Sequence, residues 1–295
     1  MSLATPIHSP SIRPMQVVRT IPELQKALAP KRQQGLSIGL VPTMGCLHSG
    51  HQALITRAKK ESAVVVVSIF VNPTQFGPQE DFARYPRTFA ADEQACRESG
   101  ADIVFAPSTE DFYARDASTW VNVGQVSEGL CGKFRPGHFQ GVATVVTMLF
   151  NAVQPQIAVF GQKDLQQLAV IRRLVRDLHF PIKIIAHETV REPNGVAMSS
   201  RNRYLSETEK TKAEAIPKAL KLAQSLVEKG ESDAHRILTA VRENLSSLPD
   251  FQIQYIEIVN CETMAPCPTI KRGECAIAVA GYLGKTRLID NLILR

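Results

Sequence analysis

The 295-residue sequence predicts an α/β protein: a Rossmann-like parallel sheet with helices on both faces, then a smaller C-terminal α+β domain. Three observations predict this. Strand-like and helix-like segments alternate from about residue 20 to residue 186. One of them, Ala63–Val71, is a β-branched run broken by Ser68, the pattern of a central strand buried on both faces. After about Val190 the alternation stops and helices precede strands. The expected division is a flexible tail over 1–14, a first domain over 15–189, and a second over 190–295 closing over the site.

The elements follow in order. Thr20-x-x-Glu23, with Pro22 between, is a capping box opening a helix to about Ala29. Leu36–Val41 reads as strand and His51–Lys60 as helix, with Leu54, Ile55 and Ala58 at helical spacing. Thr88–Ser99 reads as a helix capped by Thr88 and ended at Gly100. Asp102–Phe105 and Trp120–Val123 read as short strands. Gly141–Val153 is an apolar helix and Ile157–Phe160 the strand after it. The amphipathic helix Asp164–Leu178 leads to strand Ile182–Ala186. Helices near Glu207–Lys229 and Ala234–Leu245 come before strands near Gln252–Val259, Glu274–Ala280 and Thr286–Ile293.

Composition narrows the function classes. Hydrophobic content of 44% with 21% charged residues fits a folded globular protein. The net charge of +6 suits anionic small substrates. No dense Lys/Arg cluster with interleaved aromatics accompanies it, so no nucleic-acid partner is expected. The longest apolar run, Ala63–Val71, is too short to cross a bilayer, so no membrane partner is expected either. Residues 1–14 lack an apolar secretory core. Six cysteines are scattered with no C-x-x-C pair, which predicts a reduced, cytoplasmic protein.

Four constellations carry chemistry. In the first, His48 and His51 stand three apart where a strand gives way to a helix. A helix N-terminus offers unpaired N–H groups and partial positive charge, which suits phosphate. Thr43, Gly45 and Gly50 let backbone approach a ligand closely. A zinc site would need further ligands at matching spacing, and none is present, so no metal ligand is assigned. In the second, Gly161-Gln162-Lys163-Asp164 follows a strand and opens a helix. Lys163 can place an ammonium on phosphate or carboxylate, Asp164 reads as a cap, and Gln167 lies one turn on, on the side of Lys163. The third, Met198-Ser199-Ser200-Arg201-Asn202-Arg203, supplies two hydroxyls and two guanidiniums in an interdomain loop. In the fourth, Asn72 and Gln75 close the long apolar strand at an Asn-Pro turn, and both can donate and accept. A dinucleotide fingerprint is absent. Gly284-Lys285-Thr286 is not a P-loop, because position 279 is Val279 rather than glycine and both flanks read as strand.

Taken jointly, these segments resemble the pantothenate synthetase family. The matching stretches are Pro42–His51, Phe70–Phe76, Tyr85–Thr88, Phe134–Phe139, Gly161–Asp164 and Ser199–Leu205, in order across roughly residues 16 to 295. The first also looks like the His-x-Gly-His signature of the wider nucleotidyltransferase superfamily. The resemblance implies ATP-dependent joining of pantoate to β-alanine through a pantoyl adenylate, releasing pyrophosphate and then AMP. It implies ATP contacts at Met44, Gly45, Cys46, Leu47, His48, Ser49, Gly50 and His51, with His51 the proton donor. Further ATP contacts fall on Gly161, Gln162, Lys163 and Asp164, with Lys163 stabilising charge, and on Val190, Met198, Ser199, Ser200 and Arg201. Catalytic roles are expected of His48, His51, Lys163, Ser199, Ser200 and Arg201. Gln75, Gln167, Asn72 and Arg135 are the expected substrate contacts. Mg2+ should accompany the triphosphate, with Asp92 and Asp164 as outer partners. The family is typically a cytoplasmic homodimer. The alternatives are another adenylyl-transferring enzyme with the same histidine pair, or an RNA-binding module derived from a synthetase fold.

Overall fold

The computed structural model describes residues 15–295, so the expected tail over 1–14 lies outside the described residues. The first part runs β1 (Gln16–Val18), α1 (Ile21–Gln33), β2 (Ile38–Thr43), α2 (Ser49–Glu61), β3 (Val64–Ile69), α3 (Phe89–Glu98) and β4 (Ile103–Phe105). It continues through α4 (Thr109–Phe112), α5 (Leu130–Phe134), α6 (His138–Val153), β5 (Ile157–Gly161), α7 (Leu165–Asp177) and β6 (Lys183–His187). Six parallel strands form one sheet in the order β1-β4-β3-β2-β5-β6.

The strand period of two divides the core between the two faces of this sheet. Ile38, Leu40, Val64, Val66, Ile103, Phe105, Ala158 and Phe160 point to one face, with Leu24 and Leu28 of α1 and the apolar sides of α6 and α7. Val41, Val65, Val67, Val104, Ile157 and Val159 point to the other, with Leu54, Ile55 and Ala58 of α2 and Cys96 of α3. Both faces are covered, as the β-branched run in β3 requires.

The strand order reverses at β2, whose chain continues to β3 on one side while β5 lies on the other. β2 pairs with β3 over six residues but with β5 only at Gly39↔Ile157 and Leu40↔Ala158. Pro42 explains the short seam. Ile38 bonds toward β5, receiving Gln156 N–H at its carbonyl, whereas Thr43 receives Phe70 N–H from the β3 side. Even-numbered residues of β2 therefore face β5, and Pro42 stands where the next N–H donor would be. The sheet parts at the carboxyl ends of β2 and β5, at the switch point where ligands of such sheets sit.

The last third holds α8 (Glu207–Ala213), α9 (Ala215–Glu228), α10 (Ala234–Ser246) and the strands β7 (Phe251–Asn260), β8 (Cys275–Leu283) and β9 (Thr286–Ile293). These three strands form an antiparallel sheet. One face packs Ile256, Ile258, Ile277 and Val279 against Ile216, Leu220, Ile237 and Val241 of α9 and α10. The opposite face, with Tyr255, Val259, Ala276, Ala278 and Ala280, joins the core of the first sheet. No helix among the described residues is long and apolar enough to cross a membrane.

Several local expectations differ from the structure. Trp120–Val123 is not a strand; Val121 N–H instead donates to Thr144 Oγ1 at 3.0 Å, so a side chain rather than a ladder satisfies the backbone. The short strand β1 and the one-turn helices α4 and α5 carry too few residues for a readable period. The single helix expected near Glu207–Lys229 is two, because Pro217 cannot donate to a preceding turn and sits in the first turn of α9 instead. The capping box on Thr20 and Glu23 is present, and α1 runs past Ala29 through Pro30. Thr88 precedes α3 without a side-chain cap, its hydroxyl donating to Asp92. Asp164 likewise makes no side-chain cap to α7.

Candidate active site

The junction after β2 is built by its own side chains. The helix begins at Ser49, two residues earlier than its sequence suggests, because His48 is the N-cap. His48 Nδ1 accepts from Gly50 N–H at 3.1 Å, and His51 Nδ1 accepts from His48 N–H at 3.4 Å. This is a capping box made of imidazoles. A Cβ on Gly50 would meet His48 Cε1 at 2.8 Å, so glycine is what lets the ring fold back. With both Nδ1 atoms accepting, each neutral ring carries its proton on Nε2. Burial, then the charge of Lys163, lowers His48 to about 4; burial, then His48 itself, lowers His51 to about 3. Both are therefore neutral Nε2–H donors near pH 7. Their ring centroids lie 4.1 Å apart.

Asp92 holds the loop in front of this helix. Its carboxylate, 2% exposed, accepts from Cys46 N–H at 3.0 Å, Leu47 N–H at 2.7 Å and the Thr88 hydroxyl at 3.2 Å. These bonds make Asp92 a clamp on the loop backbone. Cys46 sits at φ 51°, a left-handed conformation costly for a side-chain-bearing residue. Asp92 fixes its N–H and Ser200 Oγ donates to its carbonyl at 3.1 Å.

The junction after β5 is built from a distance. Asn291 on β9 donates through Nδ2 to the carbonyls of Gln162 and Lys163 at 3.0 and 2.8 Å. Lys163 Nζ lies 3.8 Å from Asp164 Oδ1. Burial works to raise the Asp164 carboxyl, but Lys163, Arg201 and His138 together hold it below the usual carboxylate range.

A cavity of about 230 Å3 joins these junctions. Met44, His48, Gly50 and His51 line one side; Gly161, Lys163, Asp164 and Gln167 line the other. Val190, Met198, Ser199, Ser200 and Arg201 also line it, and the buried Asn72 and Gln75, with Arg135, mark its inner end beside Phe70, Val142 and Val146. Of the expected site residues, Gly45, Cys46, Leu47, Ser49 and Gln162 shape the walls without lining the cavity.

The polar inner end is tightly wired. Asn72, 1% exposed, donates to Gln75 Oε1 and to Gly141 carbonyl, both at 3.1 Å, and accepts from Tyr113 OH at 2.9 Å. Its polar atoms are engaged within the protein, so it positions Gln75. A Cβ on Gly141 would strike the backbone of Thr74 and Gln75, so glycine lets α6 reach this turn. Gln75 Nε2 reaches Met44 Sδ at 3.2 Å. His138, lowered to about 4 by burial and then by Arg135, accepts Arg135 Nη1 on Nε2 at 3.0 Å and so donates Nδ1–H to Gln75 carbonyl at 2.8 Å.

Two arginines arrive already paired. Arg135 forks onto Glu80, and Arg201 forks onto Asp81 at 2.8 and 3.0 Å while lying over the Tyr85 ring. Burial opposes ionisation of both carboxyls, yet the facing guanidiniums hold them below their usual range. Sequence reasoning did not single out Glu80, Asp81, His138 or Asn291 for these roles. Each acts on a partner 55 or more residues away, and no local spacing signals that. Asp92 was singled out, but for a metal.

The fold and site define an α/β enzyme class in which two strand–helix junctions, one bearing a histidine pair and the other a lysine, line one cavity at the parting of a parallel sheet. A family model described as Pantoate-beta-alanine ligase matches residues 16–293. The chain belongs to that family. It is 50% identical over 280 residues to pantothenate synthetase of Thermotoga neapolitana, covering 95% of this chain and 100% of that one. The crystal structure of pantothenate synthetase from Thermus thermophilus superposes with a TM-score of 0.90 at 46% identity, covering 95% and 99% of the two chains. That of the Francisella tularensis pantoate-beta-alanine ligase, complexed with beta-gamma ATP and beta-alanine, gives 0.77 at 33% identity, covering 95% and 98%.

Proposed function

We propose that this chain condenses pantoate with β-alanine using ATP, through a pantoyl adenylate. One observation carries the reading: two neutral imidazoles with Nε2–H free face Lys163 across a cavity whose inner end is amide-lined and apolar-walled. The donors suit phosphate, and the amides with their apolar surround suit a small branched hydroxy acid.

In this reading a pantoate carboxylate oxygen attacks the α-phosphorus and the bond to the β-phosphate oxygen breaks, releasing pyrophosphate. The β-alanine amine then attacks the acyl carbon, the bond from that carbon to the phosphate oxygen breaks so that AMP leaves, and the amine's proton passes to water. His48 and His51 donate Nε2–H hydrogen bonds to the phosphates, His51 in the place of the family's proton donor, while Lys163 meets charge developing at the α-phosphate. Ser199, Ser200 and Arg201 hold the phosphate chain from above, and Val190 and Met198 flank the nucleoside. Gln75 contacts both pantoate and β-alanine and Gln167 binds pantoate, with Asn72 and Arg135 fixing that end. No enzyme nucleophile is needed. Orienting the two reactants contributes about 7–11 kcal/mol of the barrier reduction.

Mg2+ fits this site as a companion of the triphosphate. No cluster of three or more His, Cys, Asp or Glu side chains is present among the described residues, and Mg2+ is commonly held by one or two carboxylates plus substrate phosphates. Asp164, ionised and lining the cavity, is the residue placed to reach it; when bound, the ion would offset phosphate charge.

The test is ATP–pyrophosphate exchange. We expect exchange that requires pantoate and does not respond to amino acids alone. Exchange driven by amino acids, with none for pantoate, would point to another adenylyl-transferring enzyme. A cytoplasmic homodimer acting on small molecules without nucleic acid completes the proposal. Sedimentation as a monomer would remove the dimer, and a salt-sensitive RNA gel shift would count against a small-molecule role alone.

A further inference from the structure

Strand β9 holds two loops at once, one from each of its faces. Its side chains alternate, so Ile289 and Ile293 pack with the first sheet while Leu288 and Leu292 pack with the cluster of α9 and α10. Asn291 points with the first set and holds the Gln162 and Lys163 carbonyls. Asp290 points with the second and meets Arg191, whose Nη1 and Nη2 donate to its two carboxylate oxygens at 2.6 and 3.1 Å. The Asn291 N–H also donates to Asp290 Oδ1 at 2.8 Å.

Arg191 belongs to a hairpin over residues 190–198. Met198 N–H donates to Val190 carbonyl at 2.9 Å, Arg191 pairs with Ala197, and Gly195 turns the chain at φ 89°. Arg191 Nη1 also donates to Gly195 carbonyl at 3.0 Å, so one guanidinium binds both the hairpin's turn and β9. Asp290 is 4% exposed, and burial raises its carboxyl above the usual range while Arg191 opposes that. Arg135 and Arg201 meet carboxylates too, but both line the cavity, and Arg191 does not. Its fork is therefore a brace and not a ligand contact.

We propose that Asp290 is a positioning residue for ATP: through Arg191 it fixes the nucleoside-flanking hairpin relative to the loop that carries Lys163. This rests on the reaction proposed above. There Val190 and Met198, at the base of the hairpin, flank the nucleoside, and Lys163 meets the α-phosphate. One ATP molecule must satisfy both at once, so the spacing between hairpin and loop decides how well it seats. Asp290 and Asn291 are adjacent, and the bond between them ties the two supports together. Pantoate is held by Gln75 and Gln167, which the Arg191 fork does not contact.

The experiment removes the fork as a neutral pair, Arg191→Gln with Asp290→Asn, because losing one partner alone leaves a buried charge unmatched and endangers folding. The Asp290→Asn change keeps an acceptor for the Asn291 N–H, and the Arg191→Gln side chain ends short of the positions of Nη1 and Nη2. Thermal melting and circular dichroism check that the double variant folds. We expect it to raise the KM for ATP about tenfold, with the KM for pantoate and for β-alanine within about twofold of wild type. ATP binding by calorimetry, which does not need the reaction, should weaken by the same factor. Arg191→Lys keeps the charge and loses the fork; its ATP KM should fall between the two enzymes, and it tests the fork on its own if the pair change prevents folding. An unchanged ATP KM and affinity in a folded variant would overturn the assignment. So would equal rises in all three KM values, which a general loosening of the fold would give. Absence of pantoate-dependent exchange in the wild type would instead remove the reaction on which it rests, while calorimetry would still decide whether the fork supports ATP.

Discussion

The two strand–helix junctions of the site are made in opposite ways. After β2, the helix caps itself: His48 and His51 satisfy backbone N–H groups and still present Nε2–H to the cavity. After β5, neither Asp164 nor Gly161 provides a side-chain cap, and the loop carbonyls are held by Asn291, 128 residues later in the chain. The first junction is a local device in which structure and chemistry share the same side chains. In the second, the Lys163 side chain takes no part in the holding, because a strand of the second sheet does it. Substitutions at each junction separate those duties.

The largest effect is expected at Lys163. Its side chain makes only a 3.8 Å contact with Asp164, so Lys163→Ala should leave the thermal melt and circular dichroism unchanged. Pyrophosphate exchange should fall about 100- to 1000-fold. An active Lys163→Ala enzyme would refute its role. His48→Asn comes next. Asparagine is a good N-cap, so stability should change by less than about 1 kcal/mol, while loss of the Nε2–H donor lowers exchange about 100-fold. Full activity in His48→Asn would show that the histidine is only a cap.

Asn291→Ala tests the long-range support. Freeing the two carbonyls should cost about 1–3 kcal/mol in denaturant unfolding and lower exchange about tenfold, by loosening the loop that carries Lys163. Activity loss without any stability loss would separate Asn291 from that supporting role. The mildest effect is in pH. His48, His51 and His138 titrate near 4, 3 and 4 when folded and near 6.5 when unfolded. Between these values the unfolded chain binds more protons, so stability falls as pH drops from about 6.5 toward 4. The urea midpoint should follow, with a shallower slope in His48→Asn.

The same contrast explains what the sequence made legible. The parallel sheet could be read because β3 is β-branched along its length and the helices keep their period. His48 and His51 could be found because a local device leaves a local signature. Lys163 could be placed at a strand's end, but not its supporter Asn291, since nothing near Asn291 records a partner so far away. The clamp made by Asp92 was hidden for a related reason: it serves the amides of Cys46 and Leu47 across 45 residues. Trp120–Val123 had the composition of a strand and lacked a neighbour to pair with.

Pro42 has a consequence for affinity. A cleft that had to be pried open between paired strands would charge its opening against every ligand. Here the ladder between β2 and β5 ends at Leu40↔Ala158 in the folded chain itself. The wedge is preorganised, and contacts made inside it are not diminished by breaking the sheet. Replacing Pro42 by a residue with an N–H would give β2 the means to close that wedge, and a tighter sheet would then be a poorer binder.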